Sequence, residues 1–326
     1  MSFLAGFLHR HLFVHVPEPT ASWEGKTVII TGSNTGLGLE ASRLIVRLGA
    51  QRVIMACRNI EKGKAAAGDI VRSTGCSQQT LEVWELNMSS YESVQAFAKR
   101  ANVELSRLDA VLANAAIMTR EFRMTEDNEE TITTNVVSTT LLSLLLYPKL
   151  SESAKLYDTQ SHLTLLASEL HKLATFKERK VPEGRIFATL NNERTANMAD
   201  RYNVSKLITI LIAKHLGEQS SFKDSGVIVN VVCPGFCKSE LRREYDSAAF
   251  RAFSAAFART TEVGGCILVN VLSAGSDSHG RYLPDCKMVE LTGMCRGKDG
   301  DELQDRIWKE LSKKLEHICP GVTATW

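Results

Sequence analysis

Tyr202 and Lys206 stand four positions apart in Tyr202-Asn203-Val204-Ser205-Lys206, and Leu207, Ile208, Ile210 and Leu211 follow them. That run predicts a helix, on which positions i and i+4 share a face, so a phenol and an ammonium lie side by side. A free tyrosine titrates near ~10 and exchanges protons poorly at neutral pH, whereas a nearby ammonium favours the phenolate. This is the tuning that general acid–base work near pH 7 requires. Far upstream stands Thr31-Gly32-Ser33-Asn34-Thr35-Gly36-Leu37-Gly38. Glycines there let the backbone take positive φ and approach a ligand closely. The helix start behind them offers free N–H groups and a positive dipole end to a phosphate. Together the two segments describe a nucleotide held in place while a tyrosine moves a proton.

The elements that must position these groups are legible around them. Lys26 to Thr31 is a β-branched run that predicts a buried strand. From Gly38 the period changes. Leu37, Ala41, Leu44, Ile45 and Leu48 fall on one helical face, and Gly49 ends it. The glycine spacing is G-x-x-x-G-x-G rather than the G-x-G-x-x-G of the common dinucleotide fingerprint. A second strand, Arg52 to Ala56, runs into Cys57-Arg58-Asn59 with no acidic residue between Gln51 and Asn59. NAD-type sites carry a carboxylate at this point for the ribose hydroxyls. A guanidinium forks onto a 2′-phosphate that a carboxylate would repel, so Arg58 predicts NADP(H) over NAD(H).

Further motifs, in order along the chain, resemble those of the short-chain dehydrogenase/reductase family over roughly residues 24 to 290. Thr31 to Gly38 match the family's glycine-rich turn. Ala113-Asn114-Ala115-Ala116 match its turn after the fourth strand, Asn135 in Thr133-Thr134-Asn135-Val136 its helix asparagine, and Leu165-Leu166-Ala167-Ser168 the strand end with its serine. Pro234-Gly235-Phe236-Cys237-Lys238-Ser239 match the loop that holds the nicotinamide carboxamide. The resemblance implies a single-domain Rossmann-type α/β fold, a doubly wound parallel sheet with helices on both faces. It implies a catalytic set of Ser168, Tyr202, Lys206 and Asn135. Ser168 would place the substrate oxygen, Tyr202 exchange its proton, Lys206 lower the tyrosine pKa and bind the nicotinamide ribose, and Asn135 hold a water linking Lys206 to solvent. The implied cofactor contacts are Gly32, Ser33, Asn34, Thr35, Gly36, Leu37, Gly38, Arg58, Asn87, Asn114, Ala115, Tyr202, Lys206, Pro234, Gly235 and Ser239. Asn87 stands where many members have an aspartate beside adenine, and Ala113 and Ala116 replace an asparagine and a glycine. None of these departures touches the catalytic set.

Thirty-three residues separate Ser168 from Tyr202, more than typical members have. This insertion, at about 171–200, and the Ala56-Cys57-Arg58-Asn59 strand end look most like the retinol-dehydrogenase-like branch, with similarity to fungal natural-product reductases. An insertion between two catalytic residues is expected near the site mouth, where loops set specificity. In the family, the segment from Leu241 to Ala258 forms a lid. Here Phe250, Phe253 and Phe257 share one helical face, a spacing more typical of core packing than of a substrate wall. If they are a wall, the substrate is fairly apolar.

Composition sets the remaining bounds. The chain has 326 residues, 44% hydrophobic and 23% charged, enough for a sizeable core. A net charge of +2 gives no reason to expect nucleic acid. Eight cysteines without a paired C-x-x-C predict free thiols and no metal site. His9, His11 and His15 lack acidic or thiol neighbours and read as surface histidines. The first 22 residues form a segment apart from the family domain of 23–326. Its apolar pieces are too short to span a bilayer and it lacks a secretory start, so packing on the body is expected ahead of weak membrane contact. Asp299 to His317 read as a helical tail with Leu303, Ile307, Leu311 and Leu315 on one face. The whole predicts a cytoplasmic NADP(H)-dependent reductase of a fairly apolar carbonyl compound in secondary metabolism, with a homo-oligomer possible. The alternatives are a retinoid or lipid-aldehyde reductase at a membrane surface, and a non-redox isomerase or cyclase on the same scaffold.

Overall fold

The computed structural model describes residues 3–239, 241, 244 and 247–324. Its elements in chain order begin with α1 (Phe3–Phe13), β1 (Thr27–Thr31), α2 (Gly36–Arg47), β2 (Arg52–Cys57), α3 (Ile60–Thr74), β3 (Leu81–Glu85), α4 (Tyr91–Glu104) and β4 (Ala110–Ala113). A small hairpin, β5 (Met124–Thr125) and β6 (Asn128–Glu129), leads through α5 (Glu130–Ile132) into α6 (Thr139–Leu156) and β7 (Ser161–Leu166). The second half holds α7 (Ile186–Leu190), α8 (Met198–Gln219), α9 (Phe222–Ser225), β8 (Val227–Cys233), α10 (Ala248–Phe257), α11 (Thr261–Leu272), β9 (Tyr282–Pro284) and α12 (Gly297–Ile318).

Seven strands form one parallel sheet in the order β3-β2-β1-β4-β7-β8-β9. Alternation along each strand sends side chains to two cores. Val28, Ile30, Val53 and Met55 face α2, α3 and α11, whereas Ile29, Ile54, Val111 and Leu163 face α4, α6 and α8. Both faces are covered, which is why β1 and β8 are buried along their whole length. The chain reverses its winding between β1 and β4. In open α/β sheets that point, at the carboxyl ends of the strands, is where ligands bind.

Two differences from the sequence reading have local causes. Helix α2 starts at Gly36, two residues before the apolar pattern does, because its first turn faces the glycine-rich bend rather than the core. The insertion before α8 is less helical than its composition suggests. It contains three short 3₁₀ turns and the five-residue α7. The C-terminal helix is as expected: Leu303, Ile307, Leu311 and Leu315 are buried against α8. Its cover explains why α8 is buried on nearly every side. Among the described residues no helix is long and apolar enough to cross a membrane.

Candidate functional site

The nucleotide half of the site is built by the turn between β1 and α2. Gly32 and Gly36 both take left-handed φ, +66° and +58°. Gly38 has another reason to be glycine: a Cβ there would stand 2.5 Å from the Gly32 carbonyl oxygen and 2.6 Å from Asn114 Nδ2. The bend is pinned from β4. Asn114 Nδ2 donates to the carbonyls of Thr31 (2.8 Å) and Gly32 (3.3 Å), and the Asn114 and Ala115 N–H groups donate to Thr31 Oγ1. Asn114 therefore shapes the turn, and its side chain is committed to that task. Ser33 is fully buried and its hydroxyl has no partner, so it lies beneath the turn. The strand-to-helix bend turns its side chain inward, so any contact it makes with a cofactor is through its backbone. Leu37 packs toward Gly264 of α11.

What remains at the surface suits a phosphorylated nucleotide. Thr35, at the N-cap of α2, makes no side-chain capping bond, so the first N–H groups of the helix are left to a ligand. Gly36 has nothing within 4 Å of where a Cβ would be. Arg58, just past β2, is exposed and has no polar partner among the described residues. Its neighbour Asn59 is spent on capping α3. At the other rim Asn87 Oδ1 accepts from Ser89 N–H, so its own turn uses the oxygen.

The second half joins β7 to α8. Lys206 is buried, and its Nζ donates 2.7 Å to the carbonyl of Leu166, the last residue of β7 and two before Ser168. The same Nζ stands 5.9 Å from the centre of the buried Tyr202 ring. Burial pushes the Lys206 ammonium down to about 7. Ser168 Oγ accepts from Leu170 N–H at 3.3 Å, and its carbonyl accepts from both the N–H and the Nδ1 of His171. Asn135 lies in a π-helical stretch, Thr133–Ser138, a distortion that recurs at functional sites. Its amide holds Ile117 at both backbone groups, 2.9 Å each, and donates to Ser205 Oγ at 3.0 Å. Ser205 in turn donates to the Tyr202 carbonyl. The Asn135 side chain thus ties the loop after β4 to α8 between Tyr202 and Lys206. The sequence reading missed Ser205, although it stands inside the Tyr-x-x-x-Lys spacing.

The family model described as short chain dehydrogenase matches residues 26–157. A short chain dehydrogenase/reductase of Cryptosporiopsis, dmxR8, is 44% identical over 98% of this chain and 100% of its own length. A short-chain dehydrogenase of Penicillium roqueforti, anuD, is 41% identical over 97% of this chain and 84% of its own. The chain belongs to the short-chain dehydrogenase/reductase family. Among solved structures, a Mycobacterium paratuberculosis protein superposes with TM-score 0.66 at 24% identity, covering 93% of this chain and 96% of its own. An Escherichia coli short chain dehydrogenase complexed with NADPH gives 0.61 at 21%, covering 82% and 99%. These likenesses carry the fold. Membership makes the chain an oxidoreductase of CH–OH and C=O groups that works with a nicotinamide cofactor.

Around this short-chain dehydrogenase/reductase centre, the loop after β8 shows what the sequence left unread. Gly235 has φ +76°, and a Cβ there would meet Arg259 Nη1 and His11 Nε2, each at 3.1 Å. His11 Nε2 accepts from Phe236 N–H at 3.2 Å, and burial lowers the imidazole to about 4. His11 is therefore not a solvated surface histidine, while His9 and His15 are exposed as expected. Beside it, Arg10 bridges Glu169 (2.6 Å) and Asp285, and Asp285 also takes Arg259. Arg259 Nη1 donates to the Pro234 carbonyl at 3.0 Å. A polar residue inside an otherwise apolar N-terminal stretch was the available signal for Arg10.

The lid segment and the insertion divide their tasks. Phe253 stacks on Phe7 with ring centres 6.0 Å apart and reaches Phe236 at 5.5 Å and Phe257 at 5.0 Å. These rings join neither main core; they join α1 to α10. Residues 242–243 and 245–246 of that segment, and Glu240 before it, lie outside the described residues. Ser239 is described and exposed. The insertion is bonded to α12 after its first few residues. Glu310 of α12 caps α7 through Ile186 and Phe187 N–H, and Arg306 holds the carbonyls of Arg179 and Val181. Phe176, Ile186, Phe187 and Leu190 are buried.

Proposed function

We propose that the protein is an NADP(H)-dependent reductase of a carbonyl group on a fairly apolar small molecule, acting in fungal secondary metabolism. The observation that carries the reading is the buried Lys206–Tyr202 pair hung from the strand end that leads to Ser168. The cofactor preference rests on Arg58, free and exposed beside the glycine-rich turn. The apolar substrate follows from the aromatic α1–α10 rim, and the setting from the fungal sources of the relatives named above. The reductive direction follows from the cell keeping NADPH reduced.

In this reading the first turn of α2 binds the pyrophosphate, Arg58 the 2′-phosphate and the Pro234–Ser239 loop the carboxamide. When bound, the nicotinamide supplies the hydride. Ser168 Oγ–H and Tyr202 Oη–H both donate to the substrate oxygen, and the tyrosine proton passes to it as the alcohol forms. The Lys206 ammonium stabilises the phenolate left behind. Because burial brings Lys206 to about 7, it returns a proton to Tyr202 at little cost near neutral pH.

The test is a fluorescence titration of NADPH and NADH into wild type and Arg58→Asp, followed by a panel of hydrophobic ketones and aldehydes. NADPH is expected to bind at least about tenfold tighter than NADH, with the preference lost in Arg58→Asp. Tyr202→Phe is expected to lose about 10²–10⁴-fold in kcat with unchanged NADPH affinity. Reduction should slow as pH rises through about 7, where Lys206 loses its proton. Equal binding of the two cofactors removes the preference, and a fully active Tyr202→Phe removes the mechanism. A second reading, reduction at a lipid surface, is favoured by the exposed side chains of Leu12 (54%) and Phe13 (76%) on α1. Liposome flotation with and without residues 1–17 tests it, and equal flotation ends it.

A further inference from the structure

The loop that opens at Pro234 is gripped by the first helix of the chain. It begins beside the candidate catalytic strand end. Ala167 N–H donates to the Val232 carbonyl at 2.9 Å, and the adjacent Leu166 carbonyl takes Lys206 Nζ. Farther along the loop, the backbone of Phe236 is bound on both sides. Its carbonyl accepts from Arg259 N–H, and Lys238 N–H donates to the Arg259 carbonyl, each at 2.9 Å. Its N–H donates to His11 Nε2, 225 positions earlier in the chain. The imidazole also lies close against the loop's glycine. A Cβ on Gly235 would stand 3.1 Å from Nε2 and 3.2 Å from Cε1. The Phe236 ring meets His11 edge-on at 6.3 Å and Phe7 at 6.2 Å. An imidazole nitrogen accepts a hydrogen bond only when the ring is neutral. Burial, with the Arg259 and Arg10 guanidinium groups beside it, keeps His11 in that state. Next to His11, Arg10 reaches Glu169, the residue after Ser168, at 2.6 Å. Two consecutive residues of α1 thus touch both edges of the candidate site, one at the Pro234 loop and one behind Ser168.

We propose that His11 is a positioning residue for the nicotinamide: by accepting from Phe236 N–H it fixes the loop that takes the carboxamide. The proposal rests on the reductase reading above and deepens it, because it gives α1 a task in that reaction. Arg259 supports the same loop through the Pro234 carbonyl and is itself bonded to the Arg10 carbonyl. The adenosine half of the cofactor, held by the glycine-rich turn and Arg58, would not depend on His11.

The experiment measures by calorimetry the binding of NADPH and of ADP-ribose 2′-phosphate, which lacks the nicotinamide, to wild type, His11→Phe and His11→Gln. Wild type is expected to bind NADPH the more tightly. His11→Phe keeps a ring in place and removes the acceptor. NADPH should weaken about three- to tenfold there, while the fragment stays within about twofold of wild type. His11→Gln, whose amide oxygen reaches about as far as Nε2, should restore most of the NADPH affinity. Equal weakening of both ligands in His11→Phe marks a general loss of structure and overturns the proposal. Unchanged NADPH affinity in His11→Phe, or no recovery in His11→Gln, overturns it too. Should His11→Phe not fold, His11→Asn, too short to reach Phe236 N–H, makes the same comparison. The reductase reading is judged separately. Absence of wild-type turnover on every carbonyl sinks that reading, while selective loss of NADPH binding in His11→Phe still assigns His11 to the nicotinamide. Turnover by wild type, with His11→Phe binding both ligands as wild type does, keeps the reductase and removes the role of His11.

Discussion

The nucleotide half and the substrate rim of this molecule are held together in opposite ways. From β1 to β4 the bonds that shape the site are made by backbone, one amide and one hydroxyl: Asn114 Nδ2 donates to the Thr31 and Gly32 carbonyls, and Thr31 Oγ1 accepts from two N–H groups. No formal charge takes part. At the rim the same task falls to buried ions from distant parts of the chain, with Arg10 meeting Asp285 and Glu169, and Asp285 meeting Arg259. A frame of backbone bonds presents a fixed shape to a ligand that does not vary. A frame of side-chain ions can be re-specified by single substitutions, and it carries the cost of desolvated charge.

The largest effect that would break this contrast is at Asp285. Asp285→Ala leaves Arg10 and Arg259 facing each other and should cost about 3–5 kcal/mol in urea unfolding. NADPH affinity should fall only through the Pro234 loop that Arg259 braces, so ADP-ribose 2′-phosphate, which lacks the nicotinamide, should bind within about threefold of wild type, and its collapse would show that the halves are not separate. Gly38→Ala should do the converse. Its Cβ meets backbone at 2.5 Å, so the turn must shift at a cost of about 1–3 kcal/mol, read as weaker NADPH binding. The rim should also be the acid-sensitive half, because residues 24–160 contain no histidine. Burial holds His11 and His171 near 4, against an ordinary value near 6.5. Between these values the unfolded chain binds more protons, so stability is full above about pH 6.5 and is lost as pH falls toward about 4. The loss is on the order of 1–3 kcal/mol, and an His11→Asn, His171→Asn double variant should reduce it in urea midpoints taken from pH 7 to 4, leaving the share of His162 on β7, which burial also holds near 4. Smallest is Gly36→Ala, where open space leaves only the left-handed φ to resist, about 1 kcal/mol.

The same contrast decides what could be read from the sequence. Gly32, Gly36 and Gly38 announce a turn because backbone conformation selects glycine locally, and Tyr202 and Lys206 announce a shared face because a helix fixes their spacing. The doubly wound parallel sheet and the tail helix follow from periodicity and the family resemblance, whereas the strand order is seen only in the structure. Arg10, His11, Glu169 and Asp285 were not legible, since each has meaning only through partners that are up to 275 positions away. The inward turn of the Ser33 side chain was not legible for a related reason. A motif tells which residues form a bend but not which of them the bend turns inward.

The docking of α1 also fixes an order of events. Its aromatic and ionic partners are Phe236, Phe253, Arg259, Asp285 and Glu169, and all but Glu169 follow β8 in the chain. The helix made early must therefore wait, uncovered, until the last edge strand has been added. Throughout synthesis, then, the growing chain trails an amphipathic segment that a chaperone or a lipid surface can reach before the protein can claim it.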